Sequence, residues 1–365
     1  MQRCLQLARQ GLGLTAPNPL VGAVIVKDEQ VVGEGFHPRA GQPHAEIFAL
    51  RRAGTDSRGA TLYVNLEPCN HYGRTPPCTE ALVAAGIERV VVGMIDPNPV
   101  VAGQGVACLR RSGIEVDVGI AEADCQRLNE AFVHRLRHGR PWGILKYAMT
   151  LDGKIATSTG HSAWVSGELA RQRVHQLRGQ CEAVIVGGNT VRKDNPQLTS
   201  HGQGVKNPLR VVMSRRLQLP TQAQLWQPSL APTLIFTGPQ ADEQKYRQLE
   251  DLGLEIISLP QLTPLAVLAQ LQQRDCLQVL WECGGTLAAA AIAAGCVQKV
   301  IAVIAPKLIG GEGAPSPVGD LGFSQMTQAL PVHHWQWEPL GADCWVSGYL
   351  SEPWEPATAT PMVEC

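Results

Sequence analysis

Charge of one sign is missing from this sequence: thirty-one lysines and arginines face thirty-two aspartates and glutamates, a net of −1. No overall field exists to hold a phosphate backbone, which speaks against a long nucleic acid as partner. Long apolar runs are missing too. The longest, around Leu287 to Ala294, is far too short to cross a bilayer, and no membrane association is expected. The N-terminus, MQRCLQLARQGLGL, lacks the apolar core and small-residue cleavage site of an export signal. A cytoplasmic protein is expected. The eleven cysteines are odd in number and spread from Cys4 to Cys365, and in a reducing compartment they stay thiols, most of them small buried apolar side chains. No period of about 20 to 50 residues repeats. No G-x-G-x-x-G follows a strand, so a Rossmann dinucleotide site has no support.

What is present suits a packed core. Hydrophobic residues make up 44% and charged residues 17% of 365 positions, far from the composition of a disordered chain. At roughly 150 residues per domain, two domains are expected. Stretches with strand and helix character alternate from the start: Val21 to Lys27, Ala45 to Ala53, Thr61 to Asn65, Thr79 to Ala85 and Arg89 to Val92. The alternation predicts an α/β fold, a sheet with helices on its faces. The basic stretch His134-Arg-Leu-Arg-His-Gly-Arg140, followed by Pro141, interrupts it. The boundary is placed there, with domains at 1–140 and 141–350; the stretch itself reads as a solvated helix end. Further strands are expected at Trp142 to Met149, Ala183 to Val186, Leu209 to Met213, Thr233 to Phe236, Val279 to Glu282 and Lys299 to Ile304. Residues 351–365 hold three prolines and little periodicity, predicting a loose tail.

His44-Ala-Glu46 is followed by Pro68-Cys69 and, after eight intervening residues, by Cys78. One imidazole and two thiolates give a catalytic zinc three ligands and leave a fourth position open for water. Cys78 follows Pro76-Pro77 and is expected to open a helix, where free N–H groups favour the deprotonated sulfur. Glu46, two residues after His44, can take a proton from water and pass it to a ring nitrogen and a departing amine. A structural zinc site would more often show four protein ligands and have no use for Glu46. H-x-E followed by P-C-x-x-C is the signature of zinc nucleobase deaminases. This chain departs from it, since eight residues rather than two separate the cysteines.

The segment Glu67-Pro-Cys-Asn-His-Tyr-Gly-Arg-Thr-Pro-Pro-Cys78 closely resembles E-P-C-x-H-x-G-R-T-P-P-C of the bifunctional riboflavin-biosynthesis deaminase/reductase family, where the longer spacing is regular. Pro17-Asn-Pro-Leu-Val-Gly22, Gly41-Gln-Pro-His-Ala-Glu46, Asp96-Pro-Asn-Pro99 and Leu145-Lys to Leu151-Asp-Gly-Lys154 carry the resemblance over most of the chain. It implies a cytidine-deaminase-like α/β/α sandwich followed by a dihydrofolate-reductase-like α/β domain. It also implies hydrolytic deamination of 2,5-diamino-6-(5-phosphoribosylamino)pyrimidin-4-one, then NADPH-dependent reduction of the ribosyl group to ribityl. The implied partner is this small phosphoribosyl-pyrimidine. By motif position, His44, Cys69 and Cys78 are the zinc ligands and Glu46 the proton donor, while Asn18, His71 and Arg74 contact the deaminase substrate. An Asn18 amide suits a pyrimidine edge, and an Arg74 fork suits a phosphate.

Two strands of the second domain run into glycine pairs, Val184-Ile-Val-Gly-Gly-Asn-Thr190 and Leu280-Trp-Glu-Cys-Gly-Gly-Thr286. Such turns let backbone N–H groups approach a pyrophosphate at the positive end of a helix. The resemblance places NADPH contacts at Ala148, Trp164, Thr190, Gly284, Gly285, Thr286, Leu287, Ala288, Ala289 and Ala290. It places substrate contacts at Ser162, Arg178, Asp194, Leu198 and Glu282, with Asp194 and Glu282 accepting from ribose hydroxyls and Arg178 holding the 5′-phosphate. Two departures fall here. Where the family reads D-D-P-x-L-T-x-R, this chain has Asp194-Asn-Pro-Gln-Leu-Thr-Ser-His201, so His201 replaces an arginine phosphate contact and would bind as a cation. Ser214-Arg215-Arg216 replaces an aspartate-serine pair after the strand at Arg210, and Arg215 or Arg216 is expected to meet the 2′-phosphate of NADPH.

The competing reading is a zinc deaminase of another nucleobase or nucleoside with an inactive or regulatory C-terminal domain. The near-neutral charge and the G-R-T-P-P-C insertion oppose it. A homo-oligomer is compatible with the sequence, which does not decide assembly.

Overall fold

The computed structural model describes residues 1–73, 76–99 and 101–351. Arg74 and the part of the expected tail after Ser351 lie outside the described residues. The chain divides into two compact units, Met1–Gly139 and Arg140–Cys365.

In the first unit, β1 (Gly22–Lys27), β2 (Gln30–Phe36), β3 (Thr61–Val64), β4 (Arg89–Val92) and β5 (Glu115–Val118) form one sheet in the order β2-β1-β3-β4-β5. β1 runs antiparallel to β2 and β3, whereas β3, β4 and β5 are parallel. Asp28 and Glu29, both at positive φ (51° and 63°), join β1 to β2 in a two-residue turn whose twist suits a hairpin. Ile25, Leu62, Val90, Leu82 and Leu109 are fully buried between sheet and helices.

The sequence pattern hides β2, because Gly33, Glu34 and Gly35 dilute its alternation. The glycines have a packing reason. A Cβ on Gly33 would stand 2.3 Å from the Ala49 carbonyl oxygen, and one on Gly35 would stand 2.4 Å from that of Ala45. The helix Ala45–Ala53 therefore lies closer to the sheet than any side chain permits. This contact sets the depth of His44, its cap, and of Glu46 in its first turn.

The second unit holds β6 (Trp142–Thr150), β7 (Ala183–Gly187), β8 (Leu209–Met213), β9 (Thr233–Thr237), β10 (Glu255–Ser258), β11 (Gln278–Trp281), β12 (Lys299–Ala305), β13 (His333–Leu340) and β14 (Asp343–Tyr349). Their order is β10-β9-β8-β7-β11-β6-β12-β14-β13. The seven strands from β10 to β12 in that order pair in parallel, and β14 and β13 close the edge antiparallel. Central parallel strands buried on both faces read as continuous apolar runs, which is why β7, β8, β9 and β11 are visible in sequence. β13 is not, since its residues are exposed almost throughout, Trp335 and Trp337 included. Fully buried Arg210 on β8 donates to the carbonyls of Gln227 at 2.9 Å and Ala231 at 2.5 Å. It thereby secures a loop, not a ligand. No described helix is long and apolar enough to cross a membrane.

Candidate active sites in the two units

His44 caps the helix Ala45–Ala53, and Cys78 is the first residue of the helix Cys78–Ala84, with Pro77 as cap. Their ligand atoms and that of Cys69 lie within 4.8 Å of one another. His44 Nδ1 is 3.4 Å from Cys69 Sγ and 3.3 Å from Cys78 Sγ. Tetrahedral zinc at ordinary bond lengths spaces such atoms roughly 3.5 Å apart, so donor set and spacing both fit zinc. Glu46 is 3% exposed, and its Oε2 has no hydrogen-bond partner, a costly arrangement unless a ligand takes that oxygen. Burial pushes the Glu46 carboxyl pKa up, the direction wanted in a group that carries a proton.

The two sulfurs divide their roles. Hydrogen bonds from the Cys78 thiol, from His44 and from the Cys78 amide hold the Cys69 thiol down at about 4 against its burial. The bond to Cys69, together with burial, pushes the Cys78 thiol well up. At the helix start, the Cys78 N–H donates to the neighbouring sulfur of Cys69 at 3.3 Å.

A cleft of about 440 Å³ opens over these groups, lined by Asn18, His71 and Asp96 among others. Asn18 Nδ2 lies 3.0 Å from His37 Nε2, and His37 Nδ1 lies 3.1 Å from the Pro43 carbonyl oxygen. A carbonyl only accepts, so His37 carries its proton on Nδ1, and Nε2 accepts from Asn18. That leaves Asn18 Oδ1 for a ligand. Sequence reasoning missed His37, which follows β2 without any motif of its own. It also missed Glu67, whose carboxylate accepts the N–H groups of Asp96 (3.1 Å), Gly103 (2.9 Å) and Val106 (3.0 Å). Glu67 thereby ties the Pro-Cys turn to the Asp96-Pro-Asn-Pro99 wall.

In the second unit a cleft of about 900 Å³ is lined from the ends of β6, β7, β8 and β11, the usual ligand position in open parallel sheets. On it, Arg178 of the helix Glu168–Gln180 donates through Nε and Nη2 to Glu282 at 2.6 and 3.0 Å, and Lys146 Nζ stands 3.7 Å away. Both residues expected to contact the substrate, Arg178 and Glu282, are thus already paired with each other. A buried carboxylate must be paired, so the guanidinium is held between Glu282 and the Thr199 carbonyl at 3.1 Å. Lys146, the other partner, belongs to the Leu145-Lys segment of the resemblance but was given no role from sequence.

Ala148, Trp164, Thr190, Gly284, Gly285, Thr286, Leu287 and Ala290 line this cleft. Gly284 caps and Gly285 opens the helix Gly285–Ala293, and a Cβ on Gly285 would stand 2.9 Å from the Ser316 carbonyl oxygen. Arg192, Lys193, Arg215 and Arg216, all exposed, line the same space. A glycine turn presenting helix-start amides, with cations and this volume, fits a dinucleotide phosphate such as NADPH. Ser162 Oγ donates to Asp194 at 3.2 Å, both on the cleft.

Four expected contacts do not line the cleft. Ala288 and Ala289 are buried on the core side of their helix, as helical periodicity dictates. Leu198, 3% exposed, also points into the core. His201 lies outside the lining and stacks on His175, ring centroids 4.2 Å apart. Burial, then the charge of Arg178, lowers its pKa, which works against the cationic form expected of His201.

Residues 1–94 match the cytidine and deoxycytidylate deaminase zinc-binding region, and residues 141–344 match the RibD C-terminal domain. The chain is 63% identical to the riboflavin biosynthesis protein RibD of Synechocystis, over 96% of this chain and 95% of that protein. Acinetobacter baumannii RibD superposes with a TM-score of 0.85 at 41% identity, covering 96% of this chain and 98% of its own. A diaminohydroxyphosphoribosylaminopyrimidine deaminase/5-amino-6-(5-phosphoribosylamino)uracil reductase from Thermotoga maritima gives 0.85 at 37% identity, covering 96% and 97%. With both units matched along nearly the whole length, this chain belongs to the RibD family of bifunctional riboflavin-biosynthesis deaminase/reductases.

Proposed function

We propose that the first unit deaminates 2,5-diamino-6-(5-phosphoribosylamino)pyrimidin-4-one and that the second reduces the ribosyl group of the product with NADPH, giving 5-amino-6-(5-phosphoribitylamino)uracil. The observation that carries this is the convergence of His44, Cys69 and Cys78 on one corner, with the partnerless Oε2 of Glu46 buried in the same site. Zinc held there supplies the charge that makes water acidic enough to attack near neutral pH. Glu46 takes the proton and returns it to the ring nitrogen and the departing amine. Asn18, pinned by His37, offers Oδ1 to a donor on the substrate, and His71 and Arg74 complete the contacts.

In the second cleft NADPH supplies the hydride, and the protein supplies position. Ala148, Trp164, Thr190 and the turn at Gly284 to Leu287 hold the cofactor, and Arg215 meets its 2′-phosphate. Ser162, Asp194 and Arg178 face the phosphoribosyl substrate. Reduction at the ribosyl C1 would break its bond to the ring oxygen, and the freed oxygen would need a proton. Lys146, beside the ionised Glu282, is the group placed to supply it. Thiols at every described cysteine suit the reducing cytoplasm, where we place the enzyme.

The test supplies the diaminopyrimidine ribotide with and without NADPH and follows ammonia and NADPH separately. Ammonia is expected in both, with NADPH consumed only as deaminated product forms. Ammonia without NADPH oxidation would favour a deaminase carrying an inactive C-terminal unit.

A further inference from the structure

The turn Leu151-Asp-Gly-Lys154 contacts no ligand in the reading above, yet it gathers a whole segment. The Asp152 carboxylate accepts the Thr150 hydroxyl at 2.6 Å, the Gly310 N–H at 2.7 Å and the Ile309 N–H at 3.3 Å. Leu151 N–H donates to the Lys307 carbonyl at 2.9 Å and Ile155 N–H to that of Pro315 at 3.0 Å. Lys154 Nζ donates to the Ala314 carbonyl at 3.2 Å. Both ends of the segment 307–315 are thus fastened to the end of β6.

The segment has little else to hold it. Leu308 is 76% exposed, and Gly310 and Gly311 sit at φ of 67° and 87°, so the backbone there has only the small buried side chain of Ala314 as apolar anchor and a wide choice of conformations. It nevertheless reaches the reductase cleft. Lys307 Nζ donates to the Trp164 carbonyl at 2.8 Å, and Trp164 and Pro315 both line the cleft.

We propose that Asp152 is a positioning residue for the reductase: by holding Ile309 and Gly310 it fixes Lys307 and, through Lys307, the Trp164 wall of the cofactor cleft. The inference rests on reading that cleft as the NADPH site. A carboxylate is suited to the task because it accepts several N–H groups at once, and its charge strengthens each bond. The Thr150 hydroxyl and the two amides keep Asp152 ionised, at about 2, throughout the working range.

Steady-state kinetics of Asp152→Asn and Lys307→Met in the full chain test this, with ammonia release by the same chain as the control. Both are expected to raise the KM for NADPH about tenfold and to change kcat less than about threefold, with ammonia release unchanged. Trp164→Ala is expected to raise the same KM, and adding Asp152→Asn to it to cost little more, because both act through one wall. Lys307 is exposed, so its variant decides the matter if Asp152→Asn fails to fold. A KM unchanged in Lys307→Met and Asp152→Asn beside a raised KM in Trp164→Ala overturns the clasp. An unchanged KM in Trp164→Ala removes instead the reading of the cleft on which the clasp depends.

Discussion

Arg178 holds both carboxylate oxygens of Glu282, Nε to Oε1 at 2.6 Å and Nη2 to Oε2 at 3.0 Å, inside the reductase cleft. Arg178→Met would leave Glu282, whose side chain is 9% exposed, with Lys146 alone. Breaking one side of a buried pair costs about 3 to 5 kcal/mol. Calorimetry is expected to show a lower melting transition for the second unit with NADPH oxidation lost, while ammonia release continues. An unchanged melting profile would mean the pair carries no structural weight.

Acid is expected to weaken the second unit in two steps. Burial, then the charge of Arg178, pushes His175 down to about 4. The unfolded chain, with a histidine near 6.5, takes the proton first, so stability is full above about pH 6.5 and declines as pH falls to about 4. Burial alone would raise Glu282, but Arg178 and Lys146 outweigh it and hold the carboxyl at about 2. Its contribution is present above the unfolded value near 4 and is lost as pH falls toward 2. Urea midpoints measured against pH in the parent and in His175→Gln check this, the variant flattening the first step only.

Glu46→Gln keeps the shape of the side chain and removes its basicity. Ammonia release is expected to fall by about 10² to 10⁴-fold. Zinc content by atomic absorption and NADPH oxidation on deaminated substrate are expected to stay at parent levels. Full ammonia release in this variant would sink the proton-carrying role.

Arg215→Ala and Arg216→Ala bear on cofactor choice. A guanidinium on the 2′-phosphate favours NADPH over NADH, and its loss is expected to cut that preference about tenfold or more in at least one variant. Unchanged preference in both would end the assignment.

His201→Arg places a permanent cation beside His175, where burial and Arg178 disfavour a protonated histidine. The KM for the phosphoribosyl substrate is expected to fall, by about tenfold where the arginine pairs with the phosphate through two bonds. A KM equal to or above the parent's would place the phosphate elsewhere.

Legibility followed burial and spacing. The apolar runs of β7, β8, β9 and β11 announced strands because both faces of a central parallel strand are covered. β2 and β13 did not, since the glycines of β2 serve the helix Ala45–Ala53 and the side chains of β13 face outward. The three metal-ligating side chains stood out because each follows a local turn or opens a helix. His37 did not, because a lone histidine has no local signature, and Lys146 and Glu67, though inside recognisable segments, acquire their tasks only from partners far along the chain.

By itself the sequence determined the α/β class, the identities and order of His44, Glu46, Cys69 and Cys78, and the glycine turn at Gly284-Gly285, all properties of short segments with their own turn and capping chemistry. Only the tertiary structure decided which of those groups are free to act. It paired Arg178 with Glu282, turned Ala288, Ala289 and Leu198 into the core, and left Glu46 Oε2 without a partner. Pairing and burial depend on what packs opposite a residue, and that neighbour is chosen by the fold of the whole unit, not by the residues beside it in the chain.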